Sequence, residues 1–469
     1  MGVAAIIDLI ARKLKSESVL IASVVALLTL IVPLQMASQT WDDHDRSGRY
    51  TCRDFGQNYL MSMQDEGYPI IFTNGDNDTF PLWYNQDVEQ VRTDARVCNL
   101  SYLQTDWYID QMVRPAWNSP SLPITWPRIN YCSGTNEYVE IKPEYKQQVI
   151  DFYATNPKEA REQFGDDPFE IHNILKYWVR NNKDDDELHI IPTDTLYLNI
   201  DKDKVLKSGM MLPKDSTGKV MEIPDRMAIS LTGKRSLYKG DLMLLEMVAN
   251  SNWTRPLYVA LTVGAENYMN LGENFIQEGL VNRITPFHTN EKNNFDTEKV
   301  YTNLMTRFKF GGLDKPGLYL DETVTRMCYT HRRLFAMLIK HLLDEGKKDK
   351  AIKAIKYADK MLPEYNIPYN FMGGGLDFAE AYYKLGNKAK AEHILGKMYK
   401  NCSQYMSYYL GQKQSAFNSN QRDCMYNLYI MQSILDIADE YDKSYGDKIA
   451  ESLSKYMRLY EQRGGTFNY

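Results

Sequence analysis

Residues 19–37 form a run of nineteen residues without a charge, and that run restricts what the chain can become. As a helix rising about 1.5 Å per residue it nearly spans a hydrocarbon core of roughly 30 Å. Trp41 comes next, where an interfacial aromatic belongs. Arg12, Lys13 and Lys15 precede the run, and Asp42, Asp43 and Asp45 lie beyond it. The positive-inside rule then puts residues 1–17 in the cytoplasm and everything after about residue 40 outside it. A cleaved secretory signal is the alternative, but its n-region would be long and Met36-Ala37-Ser38 is a poor small-x-small cleavage site. A retained anchor is therefore expected: an amphipathic cytoplasmic segment over 1–17 and a transmembrane helix over 18–40. One span cannot by itself make a channel.

The part of the chain beyond the anchor is long enough for a sizeable core. The chain has 469 residues, 43% of them hydrophobic, which predicts two or three domains. Its 55 basic and 61 acidic residues leave a formal charge of −6 with no basic stripe, so nucleic acid is not an expected partner. The 34 tyrosines suit carbohydrate or peptide binding without specifying either. Six cysteines, with no CxxC and no zinc spacing, exclude a small disulfide scaffold. Cys98 lies in an apolar run and is expected in the core, while one or two bridges among the others stay open.

The stretch from Gly67 to Tyr84 organises the extracytoplasmic part. Ile70, Ile71 and Phe72 read as a buried strand. Asn74-Gly75 breaks the strand, because both residues tolerate the positive φ of a tight turn. Asp76, Asn77, Asp78 and Thr79 then place four short polar side chains in a loop before a helix over 82–89, with Pro81 near its first turn. Strand, polar loop and helix start are where open α/β sheets put their ligand sites. A second unit repeats the pattern, with a strand over 96–103 and a helix over 105–113. Adjacent parallel strands would bring Asp106 and Trp107 to the same edge as Asp76–Thr79.

Further elements read in order. A helix over 51–64 carries Phe55, Tyr59 and Met63 on one face. Residues 114–135 are a Pro- and Trp-rich loop, helices fill 145–180, and the acidic run 184–187 marks a turn. Strands come next over 188–191, 195–200 and 226–232, with a turn over 215–218. A helix over 241–250 feeds a continuous apolar run over 255–263, expected as a central strand of the same sheet as 69–73 and 96–100. From about residue 324 the chain is helical and repeats at an offset of 40, with Gly346 over Gly386 and Ala351 over Ala391. This resembles the tetratricopeptide pattern, whose period is about 34 residues. The predicted class is α/β: a mixed, largely parallel sheet with flanking helices over 41–320, preceded by one transmembrane helix and succeeded by a helical-repeat tail over 321–469.

Chemistry is harder to find. Asp76-Asn-Asp78 resembles the Asp-x-Asp with which many nucleotide-sugar transferases hold a divalent cation, so Asp76 and Asp78 are metal candidates. A hydrogen-bonded capping loop without metal is the alternative, and an EF-hand fails because Pro81 and Asp87 stand where Gly and Glu are needed. Asp42, Asp43, His44 and Asp45 are close enough in sequence for a metal site, yet read more simply as an acidic juxtamembrane linker paired with Arg46 and Arg49. No Gly-x-Ser-x-Gly, His-Glu-x-x-His or Walker loop is present. His331, His341 and His393 read as surface or helix-packing residues. No catalytic constellation is specified, and no cofactor beyond an optional divalent cation.

Four motifs add a resemblance. Trp41-Asp-Asp-His-Asp-Arg-Ser47, the run from Thr73 to Tyr84, the run from Asn99 to Asp110, and Asn252-Trp-Thr-Arg-Pro-Leu-Tyr258 together resemble a Bacteroidetes family of large membrane proteins related to protein O-mannosyltransferases of the GT-C superfamily. The resemblance covers most of residues 19–330. It implies a bacterial source, and with the one span read above the chain is expected at the inner membrane, single-pass, with its bulk in the periplasm. The family's multi-span region, where a GT-C enzyme keeps its catalytic acid, is absent, so no catalytic residue carries over. The chain is expected to be a split-gene partner, a stand-alone copy or a fragment. The family does not establish a role for this soluble domain, and the chain is expected to serve protein or surface-glycan glycosylation as a recognition or accessory subunit without catalysis of its own, with a multi-span glycosyltransferase-like partner and a glycan or protein acceptor as ligand. The binding candidates are Asn74, Asp76, Asn77, Asp78, Thr79, Trp83, Asp106 and Trp107, with Asp43, His44 and Arg255 from the motif positions. Two rivals stand beside it, a metal-dependent transferase or hydrolase using Asp76 and Asp78, and a helical-repeat scaffold for envelope assembly.

Overall fold

The computed structural model describes residues 2–15, 19–180 and 189–467; the expected turn over 184–187 and Leu188 of the next strand lie outside them. Helix α1, Gly2–Leu14, precedes helix α2, Val19–His44. Within α2, Val19–Trp41 is long and apolar enough to cross a membrane, with a mean hydropathy of 2.4 and almost none of it buried by protein. The helix runs past residue 40 and takes His44 into its last turn, where Nδ1 meets the Thr40 carbonyl at 2.9 Å. The expected linker therefore starts later, and it is tightly folded: Ser47 N–H donates to Asp45 Oδ1 and Arg49 N–H to the Arg46 carbonyl.

Helix α3, Thr51–Ser62, buries Phe55 and Tyr59 on one face, as the spacing of four predicts. Strand β1, Ile70–Thr73, leads into helix α4, Asp76–Asp87, and strand β2, Arg96–Asn99, into helix α5, Asp106–Met112. Helix α4 begins earlier than the sequence suggests. Gly75 takes the extended N-cap position, and Asp76 and Asp78 sit inside the first turn, where carboxylates complement the helix dipole. Pro81 consequently lies within the helix rather than at its start. It is also the contact with α3: a Cβ on Gly56 would run into the Pro81 carbonyl, 2.6 Å from its carbon, so only glycine permits this approach.

The remaining strands are β3, Tyr138–Ile141; β4, Ile190–Ile191; β5, Thr195–Asn199; β6, Arg226–Ser230; β7, Ser236–Tyr238; β8, Leu257–Ala260; β9, Phe275–Gln277; and β10, Val281–Ile284. The principal sheet has the order β2-β1-β8-β10-β9. Strand β1 pairs in parallel with β2, Phe72 opposite Cys98, and with β8, Phe72 opposite Val259. Every residue of these three strands is buried; β1 and β8 accordingly read as apolar runs, while β2 also buries Arg96 and Asn99. The parallel trio and the place of 257–260 within it agree with the sequence reading. Hairpin β9–β10 has no counterpart in that reading; it adds two antiparallel strands beyond β8. Its buried charges disguise it, since Glu278 and Arg283 are both almost fully enclosed, paired at 3.5 Å, with Lys299 Nζ and the Tyr258 hydroxyl also on Glu278. Strands β4-β3-β7 and β5-β6 form two smaller sheets. All six cysteines are unpaired, Cys98 in the core.

Helices dominate from Glu322 onward. Glu322–Asp344 and Lys348–Met361 form one hairpin, Gly375–Lys384 and Lys388–Gly411 another. Their turns are the same. Lys347 N–H bonds the Leu342 carbonyl and Asn387 N–H that of Tyr382, while Gly346 and Gly386 reach back to Leu343 and Tyr383 with φ of 73° and 83°. That is a Schellman motif used twice, and it accounts for the Gly repeat at an offset of 40. Ala351 and Ala391 are both fully buried. The tail is fastened to α3 by Asn58, whose Nδ2 meets His331 Nε2 at 2.8 Å and the Lys309 carbonyl at 2.7 Å.

Candidate functional site

The carboxyl ends of β1, β2 and β8 meet at one edge, and a buried polar layer fixes it. Thr79 Oγ1 donates to Thr73 Oγ1 at 2.8 Å, and Asn99 Nδ2 donates to Thr79 Oγ1 at 2.9 Å and to the Asn74 carbonyl at 3.2 Å. Ser101 Oγ donates to Asn74 Oδ1 at 2.7 Å. Thr73 and Thr79 are fully buried, so their hydroxyls must find partners within the protein. Thr79 thus locks the turn and is not available to a ligand, whereas the Asn74 side chain lies at the surface.

Asp78 is the most unusual group at this edge. Its side chain accepts a 2.7 Å hydrogen bond from Thr262 Oγ1, which in turn lies 3.4 Å from the Tyr59 hydroxyl. Asp78 is only 3% exposed. Thr262 and the nearby amides of Asn74 and Gly75 favour the carboxylate, but burial outweighs them and raises the Asp78 pKa. Among the described residues no donor meets Oδ1 in hydrogen-bond geometry.

Asp76 and Asn77 face elsewhere. They line a groove of about 500 Å³ with Tyr50, Arg53, Phe80 and Tyr84. The pair expected to clamp a divalent cation is therefore split, one carboxylate in an open groove and the other enclosed behind Thr262. Among the described residues no three of His, Cys, Asp or Glu come together as a metal cage.

An aromatic strip crosses the same edge. Phe80 and Trp83 lie 5.7 Å apart, Trp83 stacks on Tyr102 at 6.3 Å and 25°, and Tyr102 meets Trp107 at 5.9 Å. Phe80 and Trp107 are each about half exposed, at 48% and 50%, so Trp107 is not a core residue. Asp106 is engaged beside it, accepting from Arg128 at 3.4 Å and from the Ser133 amide at 3.2 Å. A second cleft, about 360 Å³, opens on the other side of Asn74 and is lined by Ser101, Gln104, Lys234, Asp241 and Glu266. Sequence patterns do not reveal this cleft, because its walls come from four distant segments. Its one local signal is Asp241 at the third position of a helix, bonding back to Tyr238 N–H at 2.9 Å.

Two groups of expected residues fall away from this edge. Arg255 precedes β8 and so lies at the amino edge, donating to the carbonyls of Tyr68 at 2.8 Å and Ser121 at 2.6 Å. Burial beside Arg96 lowers its pKa to about 10. It braces loops and does not join the carboxyl-edge residues. His44 belongs to the last turn of α2, and the side chain of Asp43 lies outside the described part.

The family model described as TMEM260-associated domain 2 matches residues 52–304, just over half of the chain. The match runs from α3 through strands β1 to β10 and includes both clefts' sheet-edge residues. No curated protein and no solved structure matches the chain.

Proposed function

The chain belongs to the TMEM260-associated domain 2 family, and on that footing we propose that it is the membrane-anchored recognition or accessory part of a glycosylation system of the GT-C type. It binds glycan or protein acceptor outside the cytoplasm, at the bacterial inner membrane, and leaves the transfer chemistry to a multi-span glycosyltransferase-like partner. The observation that carries this reading is the strip Trp83–Tyr102–Trp107, lying beside hydrogen-bonding groups at the carboxyl edge of a parallel sheet. Flat aromatic faces receive the apolar faces of sugar rings, and the Asn74, Asp76 and Asn77 side chains receive hydroxyls. Asp78 supports the edge from below through Thr262 and is a positioning residue in this scheme.

The test is affinity capture of the detergent-solubilised full chain from its native membrane, with mass spectrometry of what co-purifies. A multi-span glycosyltransferase-like protein is the expected partner. Recovery of soluble envelope proteins alone would overturn the accessory role.

The scaffold reading has one observation in its favour, a groove of about 540 Å³ in the helical tail lined by Tyr329, Tyr369, Tyr405, Tyr409 and Tyr426. It predicts that Tyr405→Ala with Tyr426→Ala abolishes capture while Trp107→Ala leaves it intact. The metal-enzyme reading has no such support, given the split of Asp76 from Asp78.

A further inference from the structure

The groove lined by Asp76 and Asn77 has a second property, its distance along the chain from the end of α2. His44 closes that helix, and the groove's wall begins at Arg49 and Tyr50. Five residues at no more than about 3.5 Å each reach under about 20 Å. The segment does not use even that length, because 45–49 is folded by the Ser47–Asp45 and Arg49–Arg46 hydrogen bonds. Whatever surrounds the end of α2 therefore lies within reach of this groove.

The lining matches one kind of surroundings. Tyr50, Phe80 and Tyr84 are each about half exposed, so three rings stand open together in a groove that lies next to the end of α2 in the chain. Aromatic rings with a polar tip collect where a bilayer's headgroups meet its acyl chains. Charge does not drive the contact, because the groove's cations are balanced. Arg53 Nη2 pairs with Asp54 at 2.7 Å, Arg49 lies over the Tyr319 ring at 4.5 Å, and Asp76 adds a carboxylate.

We propose that this groove is a membrane-docking face: Tyr50, Phe80 and Tyr84 rest in the headgroup–acyl boundary of the bilayer that α2 enters. The proposal rests on the reading of α2 as a span. It holds the carboxyl edge of the sheet, through Asp76 and Asn77, against the membrane surface, so a ligand of that edge is met at the bilayer and not in free solution. Because the lining is balanced in charge, docking persists on zwitterionic lipid.

The full chain is placed in phosphatidylcholine nanodiscs carrying a phospholipid with a photoactivatable group on its acyl chain, and lipid adducts are mapped by mass spectrometry. Adducts are expected on α2 and also on Tyr50, Phe80 or Tyr84. The double variant Phe80→Asp, Tyr84→Asp, at exposed positions, should lose at least tenfold of the α4 adducts while keeping those on α2. Adducts confined to α2 would overturn the docking face and leave the anchor standing. Adducts absent from α2 as well would overturn both.

Discussion

Thr262 Oγ1 donates to Asp78 Oδ2 at 2.7 Å across 184 residues of sequence, joining the end of β8 to the first turn of α4. The contact closes the carboxyl edge from beneath and leaves an enclosed carboxylate whose pKa burial has raised. A carboxyl group with a raised folded pKa favours folding most when protonated. Its contribution is complete below the ordinary carboxylate pKa of about 3.9 and is lost as pH rises through the folded value.

Asp78→Asn should therefore flatten this dependence. The variant can keep an oxygen toward the Asn74 and Gly75 amides and offer its NH₂ to Thr262. Thermal unfolding of the two proteins from pH 4 to 7 should show the variant gaining on the wild type as pH rises. A gap independent of pH would mean that Asp78 is not titrating differently in the folded state.

His331 runs the other way. It is enclosed by Phe55, Phe308 and Phe310, and burial lowers its pKa to about 4. Neutral His331 is favoured in the fold, so its contribution is complete above about 6.5 and is lost as pH falls toward 4. The full loss is on the order of 3 kcal/mol. His331→Leu should remove this component of acid sensitivity, read as the difference between denaturant midpoints at pH 7 and pH 5.

Gly56→Ala tests the α3–α4 contact. The added methyl would meet the Pro81 carbonyl, 2.6 Å from its carbon, and backbone atoms cannot rotate away. The helices must separate, at a cost of about 1–3 kcal/mol. Because α4 carries Asp76, Asn77 and Asp78, amide exchange in its first turn should accelerate along with the fall in melting temperature.

Trp107→Ala separates binding from stability. The ring is half exposed, so its removal should cost at most about 1 kcal/mol of folding free energy. If the aromatic strip receives sugar rings, glycan affinity measured by calorimetry should drop at least tenfold, equivalent to about 1.4 kcal/mol. Unchanged affinity would remove the strip from the site.

Much of this protein is legible without coordinates, for identifiable reasons. The uncharged run over 19–37 becomes part of a helix long and apolar enough to cross a membrane. Strands β1 and β8 are covered on both faces, so burial is written directly into their composition. Gly346 and Gly386 repeat because a Schellman turn demands positive φ at that residue. These features are local, and local physics is what a sequence displays.

Other features depend on partners that sequence does not disclose. Glu278 and Arg283 look like surface charges until each encloses the other, and that hides the β9–β10 hairpin. Asp76 and Asp78 differ by two positions in sequence, but helix geometry turns one to the groove and the other toward Thr262. Arg255 sits in a motif with Tyr258, yet the direction of β8 puts it at the opposite edge from Asn74. The cleft lined by Ser101, Lys234, Asp241 and Glu266 draws its walls from segments far apart in the chain, so no single stretch of sequence displays it. The apolar span, the buried strands and the helical repeat are thus written in the order of the residues. Which polar groups share a surface is settled by folding, because it depends on strand direction and on contacts between residues far apart in the chain.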